Sequence, residues 1–260
     1  MIRAGDAWET PGVVLVHGVR TSRTMWRAQE EVLRAAGHRV VAVDLPGHGR
    51  RLDEPFTVDR CLEVVDEAVE SLGGTAALVG LSLGGYVSVA YAARRPDRVA
   101  VLVAAGCCTS PTTPLRGVWG RLARWIESWE DSGERLNAEL VRRTLDVQAA
   151  HDVAAGGFAL TVVSGMLEEI GTVDPIALLP RVRCPIHLVN GRFDHFRTQE
   201  RAFVRAARAS GRPVRLVVVP GAKHLVALDA PVTFSRVVLE ALEDVQVPGA
   251  EASPPERRLS

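Results

Sequence analysis

Ser82, Asp194 and His224 have the residue types and settings that acyl-transfer chemistry requires. Ser82 lies in the run Ala76-Ala77-Leu78-Val79-Gly80-Leu81-Ser82-Leu83-Gly84-Gly85-Tyr86, which reads as a strand, a sharp turn and the start of a helix. In a Gly-x-Ser-x-Gly turn the serine occupies a tight bend, and glycine two residues to either side lets the neighbouring backbone close in. The bend pushes the hydroxyl out of the sheet's end. It also leaves the Leu83 N–H unpaired at a helix N-terminus, aimed at the charge that develops on an attacked carbonyl oxygen. A serine hydroxyl attacks well only when a base takes its proton, and that base needs an acid to hold its tautomer. His224 in Pro220-Gly221-Ala222-Lys223-His224 and Asp194 in Asn190-Gly191-Arg192-Phe193-Asp194 each follow an apolar run. Residues just beyond strands are the ones that face a ligand in a doubly wound sheet.

The other histidines and acids have less to offer. His17 precedes the turn after the first strand and is expected to fix that loop by hydrogen bonds. His48, in Pro46-Gly47-His48-Gly49, reads as structural, and His187 falls inside a strand as a core histidine. His38 and His151 have no evident partner, whereas His195 follows Asp194 directly and is a candidate substrate contact. Asp44 belongs to the turn before Pro46. After the strand ending at Ala105 stand Gly106-Cys107-Cys108, with no carboxylate, so Asp194 is left as the acid.

These residues need a scaffold that brings them to one edge. Apolar runs at Val13–Val16, Arg39–Asp44, Ala76–Leu81, Val99–Ala105, Ile186–Val189 and Val214–Val219 predict six strands. Helical periods follow at 25–36, 58–72, 83–93, 198–209 and 232–242. Strands alternating with helices predict an α/β fold with a doubly wound, mainly parallel six-stranded sheet. Between 110 and 179 the alternation stops and only helix-like segments remain, at 115–130, 134–151 and 157–170. The predicted organisation is a core of 1–109 and 180–246, a helical cap inserted at 110–179, and a disordered tail at 247–260, where Pro248, Pro254 and Pro255 stand among charges.

Bulk properties narrow the function. The 260 residues suit one large domain, and 31 basic against 31 acidic residues give no net field to recruit nucleic acid or an anionic membrane. The four cysteines, Cys61, Cys107, Cys108 and Cys184, lack metal-ligand spacing and are too few for a disulfide scaffold. No metal and no cofactor is expected. Residues 1–8 lack an apolar signal region and no apolar run approaches the length of a spanning helix, so a soluble, cytoplasmic protein is the expectation.

Taken with the His17-Gly18 turn and Asp44-Leu45-Pro46-Gly47-His48-Gly49, the elbow, Asp194 and His224 make the chain resemble the α/β-hydrolase superfamily over almost its full length. The order Ser, Asp, His is that superfamily's order. The short lead into the first strand is similar to the small methylesterase and hydroxynitrile-lyase branch. The resemblance implies that Val19, after His-Gly, donates the second oxyanion N–H. It also implies a helical cap where one is read here. Serine rather than aspartate at the elbow argues against epoxide-hydrolase and haloalkane-dehalogenase chemistry.

Trp119, Trp125 and Trp129 fall at the first cap helix, where they read as cap core or as the roof of an apolar pocket. The expected activity is a serine hydrolase that cleaves a carboxylic ester or lactone of a small-to-medium apolar molecule through an acyl-enzyme. Thioester or carbon–carbon bond hydrolysis, a lyase reaction, and a non-catalytic receptor on the same scaffold are the alternatives.

Overall fold

In the computed structural model, residues 10–112 and 116–245 are described. The N-terminal stretch, the start of the first cap helix at Leu115 and the predicted tail at 247–260 lie outside them. The strands are β1 (Gly12–Val16), β2 (Val40–Val43), β3 (Ala76–Leu81), β4 (Val99–Ala105), β5 (Ile186–Gly191) and β6 (Val214–Val219). They form one sheet in the order β2-β1-β3-β4-β5-β6, with every pairing parallel. The order reverses between β1 and β3, the switch point at which such sheets bind ligands.

Side chains alternate across this sheet. Val14, Val16, Leu78, Leu102 and Ala104 enter a core with α2 (Val58–Ser71), α3 (Leu83–Arg94) and α9 (Glu200–Arg208). Val13, Leu15, Val79, Val101 and Val103 face Trp26, Leu33 of α1 (Arg27–Ala35) and Phe234 of α11 (Pro231–Glu243). Because both faces of β1, β3 and β4 are covered, these strands read as continuous apolar runs rather than as alternating ones, whereas the edge strand β6 leaves Arg215 and Leu216 exposed.

Between β4 and β5 stand α4 (Arg116–Glu127), α5 (Glu134–Thr144), α6 (Val147–Ala154), α7 (Val163–Ile170) and α8 (Pro175–Leu178). The helix predicted over 134–151 is broken in two. Asp146 takes the extended backbone of a helix cap and accepts from the Ala149 N–H, which starts a new helix. The segment predicted as helical from 157 is irregular until Val163. Gly157 has φ +75°, a left-handed conformation that ends the preceding helix rather than starting one. Helix α8 packs on α3 and α9, against the core helices.

The insertion is fastened to the loops that follow β1 and β2. The Thr24 hydroxyl donates to the Asp152 carbonyl (2.6 Å), and the Arg27 guanidinium pairs with the Asp152 carboxylate (3.1 Å). A Cβ on Gly156 would lie 1.8 Å from Ser22 Oγ, and one on Gly47 would lie 2.6 Å from Val162 Cγ2. The Glu169 carboxylate also accepts from the Val58 N–H (3.1 Å). These ties hold the inserted helices at the carboxyl ends of the strands. Among the described residues, no helix is long and apolar enough to cross a membrane.

Candidate active site

Ser82 has φ +54° and ψ −113°, a backbone conformation that residues other than glycine rarely adopt. Two close approaches enforce it. A Cβ on Gly80 would lie 2.2 Å from the Gly84 carbonyl oxygen, and a Cβ on Gly84 would lie 2.1 Å from the Val16 carbonyl oxygen. The Ser82 N–H donates to the Ala105 carbonyl (2.8 Å), while the Gly85 and Tyr86 N–H groups close the first helical turn onto the Ser82 carbonyl (2.9 and 3.2 Å). The elbow is therefore fixed from both sides, by β1 and by β4.

His224 and Asp194 reach it from the loops after β6 and β5. Ser82 Oγ stands 3.0 Å from His224 Nε2, and His224 Nδ1 stands 2.9 Å from Asp194 Oδ1. With the Nδ1 proton donated to the carboxylate, Nε2 is the acceptor for the serine proton. Asp194 is 5% exposed; its Oδ1 also accepts from the Phe196 N–H (2.7 Å), whereas its buried Oδ2 has no partner among the described residues. Three glycines that the sequence analysis did not single out make the room. A Cβ on Gly191 would meet the Lys223 carbonyl oxygen at 2.0 Å, so glycine is what allows the two loops to touch. Gly106, with φ +59°, would place a Cβ 3.3 Å from His224 Cε1 and 3.4 Å from Asp194 Oδ2. A Cβ on Gly18 would be 3.5 Å from Ser82 Cβ, so the loop after β1 lies against the elbow.

That loop carries Val19. Neither its N–H nor that of Leu83 has an acceptor among the described residues; Leu83 opens α3, where no intrahelical acceptor exists. His17 holds the loop, as its position suggested: the Leu45 N–H donates to its Nε2 (3.0 Å), and its Nδ1 N–H donates to the Gly18 carbonyl (2.8 Å). Complete burial, followed by the nearby His48, pushes the His17 pKa down to about 3, so its ring is a fixed neutral strut. His48 Nδ1 donates to the Pro46 carbonyl (2.9 Å), and His187 sits buried in β5 with its Nε2 3.0 Å from Asp244. Asp44 is likewise a structural acid. Burial works against its charge, but the Arg23 and Arg50 N–H groups and the Arg23 guanidinium all donate to it, and its pKa stays low.

The remaining predicted contacts are distributed differently. The His195 ring is exposed but packs 5.0 Å from the His224 ring, and Phe196, which the sequence analysis passed over, packs at 4.7 Å. Trp119 and Trp125 are 57% and 58% exposed, so they do not form the core of the insertion. The buried face of α4 is instead Gly120 and Ala123, small residues that let α4 and α7 lie close. Trp129 lies beyond the end of α4, partly buried, with its ring edge-on to Trp125 at 5.0 Å. Among the described residues, no cluster of His, Cys, Asp or Glu is arranged to hold a metal ion.

Known proteins are similar to this chain in sequence and fold. The profile of the alpha/beta hydrolase family matches residues 13–237. A pimeloyl-[acyl-carrier protein] methyl ester esterase of Nitrosomonas europaea is 30% identical over 71% of this chain and 77% of its own. The mouse sn-1-specific diacylglycerol lipase ABHD11 is 24% identical over 92% of this chain and 82% of its own. Among solved structures, a thermophilic esterase from Thermogutta terrifontis superposes with a TM-score of 0.73 at 27% identity, covering 92% and 93% of the two chains. The chain belongs to the alpha/beta hydrolase family.

Proposed function

We propose that this esterase-type hydrolase cleaves a carboxylic ester or lactone of a small-to-medium molecule through an acyl-enzyme on Ser82. The observation that carries the reading is the continuous relay of Ser82 Oγ, His224 and Asp194 Oδ1 at 3.0 and 2.9 Å. His224 Nε2 takes the Ser82 proton as Oγ bonds to the carbonyl carbon. The oxyanion so formed is held by the Val19 and Leu83 N–H groups. The C–O bond then breaks, and the alcohol leaves with the proton from His224. A water gives its proton to His224 and its oxygen to the acyl carbon; Ser82 departs as the leaving group, recovers the proton, and the acid is released. Asp194 orients the imidazole and offsets its positive charge throughout. No metal or organic cofactor takes part, and neither nucleic acid nor membrane is a partner. The esterase relatives support the reaction class. The experiment is labelling by a fluorophosphonate probe, with adduct mapping, together with a panel of p-nitrophenyl esters of graded acyl length. A stoichiometric adduct on Ser82 and turnover of short esters are expected. Absence of both from folded protein would overturn the reading.

A further inference from the structure

Arg20 carries a charge that the fold does not use. It directly follows Val19 in the loop after β1, and its φ of +63° lies in the left-handed region that favours glycine. The side chain is partly buried, yet among the described residues it has no hydrogen bond and no ion pair. Burial lowers its pKa, while Glu127 near the end of α4 acts in the opposite sense. Glu127 is near enough to be felt, but its carboxylate is engaged elsewhere: its Oε1 accepts from the Ser164 N–H (2.8 Å) and its Oε2 from the Ser164 hydroxyl (2.5 Å). Thus a cation stands, partly desolvated, on a strained backbone, at the seam between the oxyanion loop and the inserted helices. Both features cost stability, and among the described residues no hydrogen bond or ion pair to the Arg20 side chain offsets them.

We propose that Arg20 is the substrate-recognition residue for a second, unreacting carboxylate on the substrate. The substrate is then a half-ester of a dicarboxylic acid, or a lactone bearing a carboxylate, rather than a purely apolar ester. A guanidinium presents its donors in a planar fork that matches both carboxylate oxygens. Its backbone is adjacent to the Val19 amide that holds the reacting carbonyl, so both anchors of the substrate come from one loop. The hydrolysis is unchanged: water adds across the ester, and the gripped carboxylate is neither formed nor consumed. This assignment rests on the Ser82 reading above and narrows it.

The test compares monomethyl succinate, glutarate and adipate with their neutral primary-amide isosteres. The proteins are wild type, Arg20→Gln and Arg20→Gly. Wild type is expected to prefer the carboxylate by roughly ten- to a hundredfold in kcat/KM for at least one chain length, chiefly through KM. In both variants that ratio falls to about one. Arg20→Gly also relieves the left-handed backbone, so its thermal midpoint is expected to hold or rise. A wild-type ratio near one, or a preference that survives in the variants, overturns the proposal. So does an equal loss on both substrates with a fallen midpoint, which would make Arg20 a structural bridge to α4. Fluorophosphonate labelling of Ser82, run on every protein, separates this from failure of the hydrolase reading. If wild type neither labels nor turns over, calorimetric titration of wild type and Arg20→Gln with monomethyl glutarate decides the point: tighter binding by wild type supports Arg20, and equal binding overturns it.

Discussion

The α-carbon of Gly80 and the carbonyl oxygen of Gly84 are so close that a Cβ on Gly80 would lie 2.2 Å from that oxygen. Gly80→Ala must therefore push the first turn of α3 away from β3, and Ser82 moves with it. Overpacking of this kind is expected to cost about 1–3 kcal/mol in urea denaturation. A displacement of about 1 Å at the nucleophile is expected to slow fluorophosphonate labelling roughly a hundredfold. Wild-type labelling in Gly80→Ala would show that the elbow tolerates a relaxed geometry.

Two aspartates that follow strands can be told apart by what each loses. Asp194→Asn removes the partner of His224 and is expected to lower turnover by roughly four orders of magnitude with little change in stability. Asp44→Asn leaves the Arg23 guanidinium without its carboxylate and is expected to cost about 3 kcal/mol, with catalysis largely kept in the protein that remains folded. Paired measurements of kcat and of unfolding free energy check both. The reverse pattern would exchange their roles.

Ser82→Ala removes a hydroxyl that packs little but carries the proposed covalent step. Hydrolysis and probe labelling are expected to be abolished, with stability altered by about 1 kcal/mol or less. Calorimetry and the ester panel on one preparation measure both.

The buried histidines make stability depend on pH. His17 is neutral in the folded state down to about pH 3, against an ordinary value of 6.5. The unfolded chain therefore binds a proton that the folded one does not throughout that interval. The His17 contribution is complete above pH 6.5 and is lost as pH falls towards 3, with a slope of up to about 1.4 kcal/mol per pH unit. Burial lowers His48 and His187 in the same sense. Unfolding free energies at pH 7.0, 6.0 and 5.0 should fall progressively. In His17→Asn the curve should start lower and be flatter; an equally steep curve would remove His17 as a source of the slope.

The inserted helices offer a contrast in packing. Ala123→Leu places a larger side chain at the α4–α7 seam and is expected to cost about 1–3 kcal/mol. Trp125→Ala alters an exposed ring and is expected to stay within about 0.5 kcal/mol. Urea titrations of the two variants check this. A larger loss from Trp125→Ala would mean that the tryptophan edge is covered in solution.

The sequence by itself determined the six strands, the elbow and the order Ser82, Asp194, His224. A strand buried on both faces must be apolar throughout, and a serine on a left-handed bend needs glycines beside it; both requirements are local and so are written locally. Both Asp44 and Asp194 follow strands, and the sequence set them apart only by placing Asp44 in the turn before Pro46. The inserted helices were legible only as helices. Their breaks at Asp146 and before Val163 depend on one cap and one left-handed glycine. The face of α4 that is buried depends on how close α7 lies, so Gly120 and Ala123 take the seam and Trp119 and Trp125 are turned outwards. Only the tertiary structure decided that Gly106 leaves room for the imidazole and Gly191 for the loop that carries it, that Phe196 and His195 flank it, and that Arg20 has no hydrogen bond or ion pair among the described residues. The triad contacts themselves join loops 30 and 142 residues apart, and such relations are set by the register of a sheet and the packing of its helices. No pattern within either segment records them.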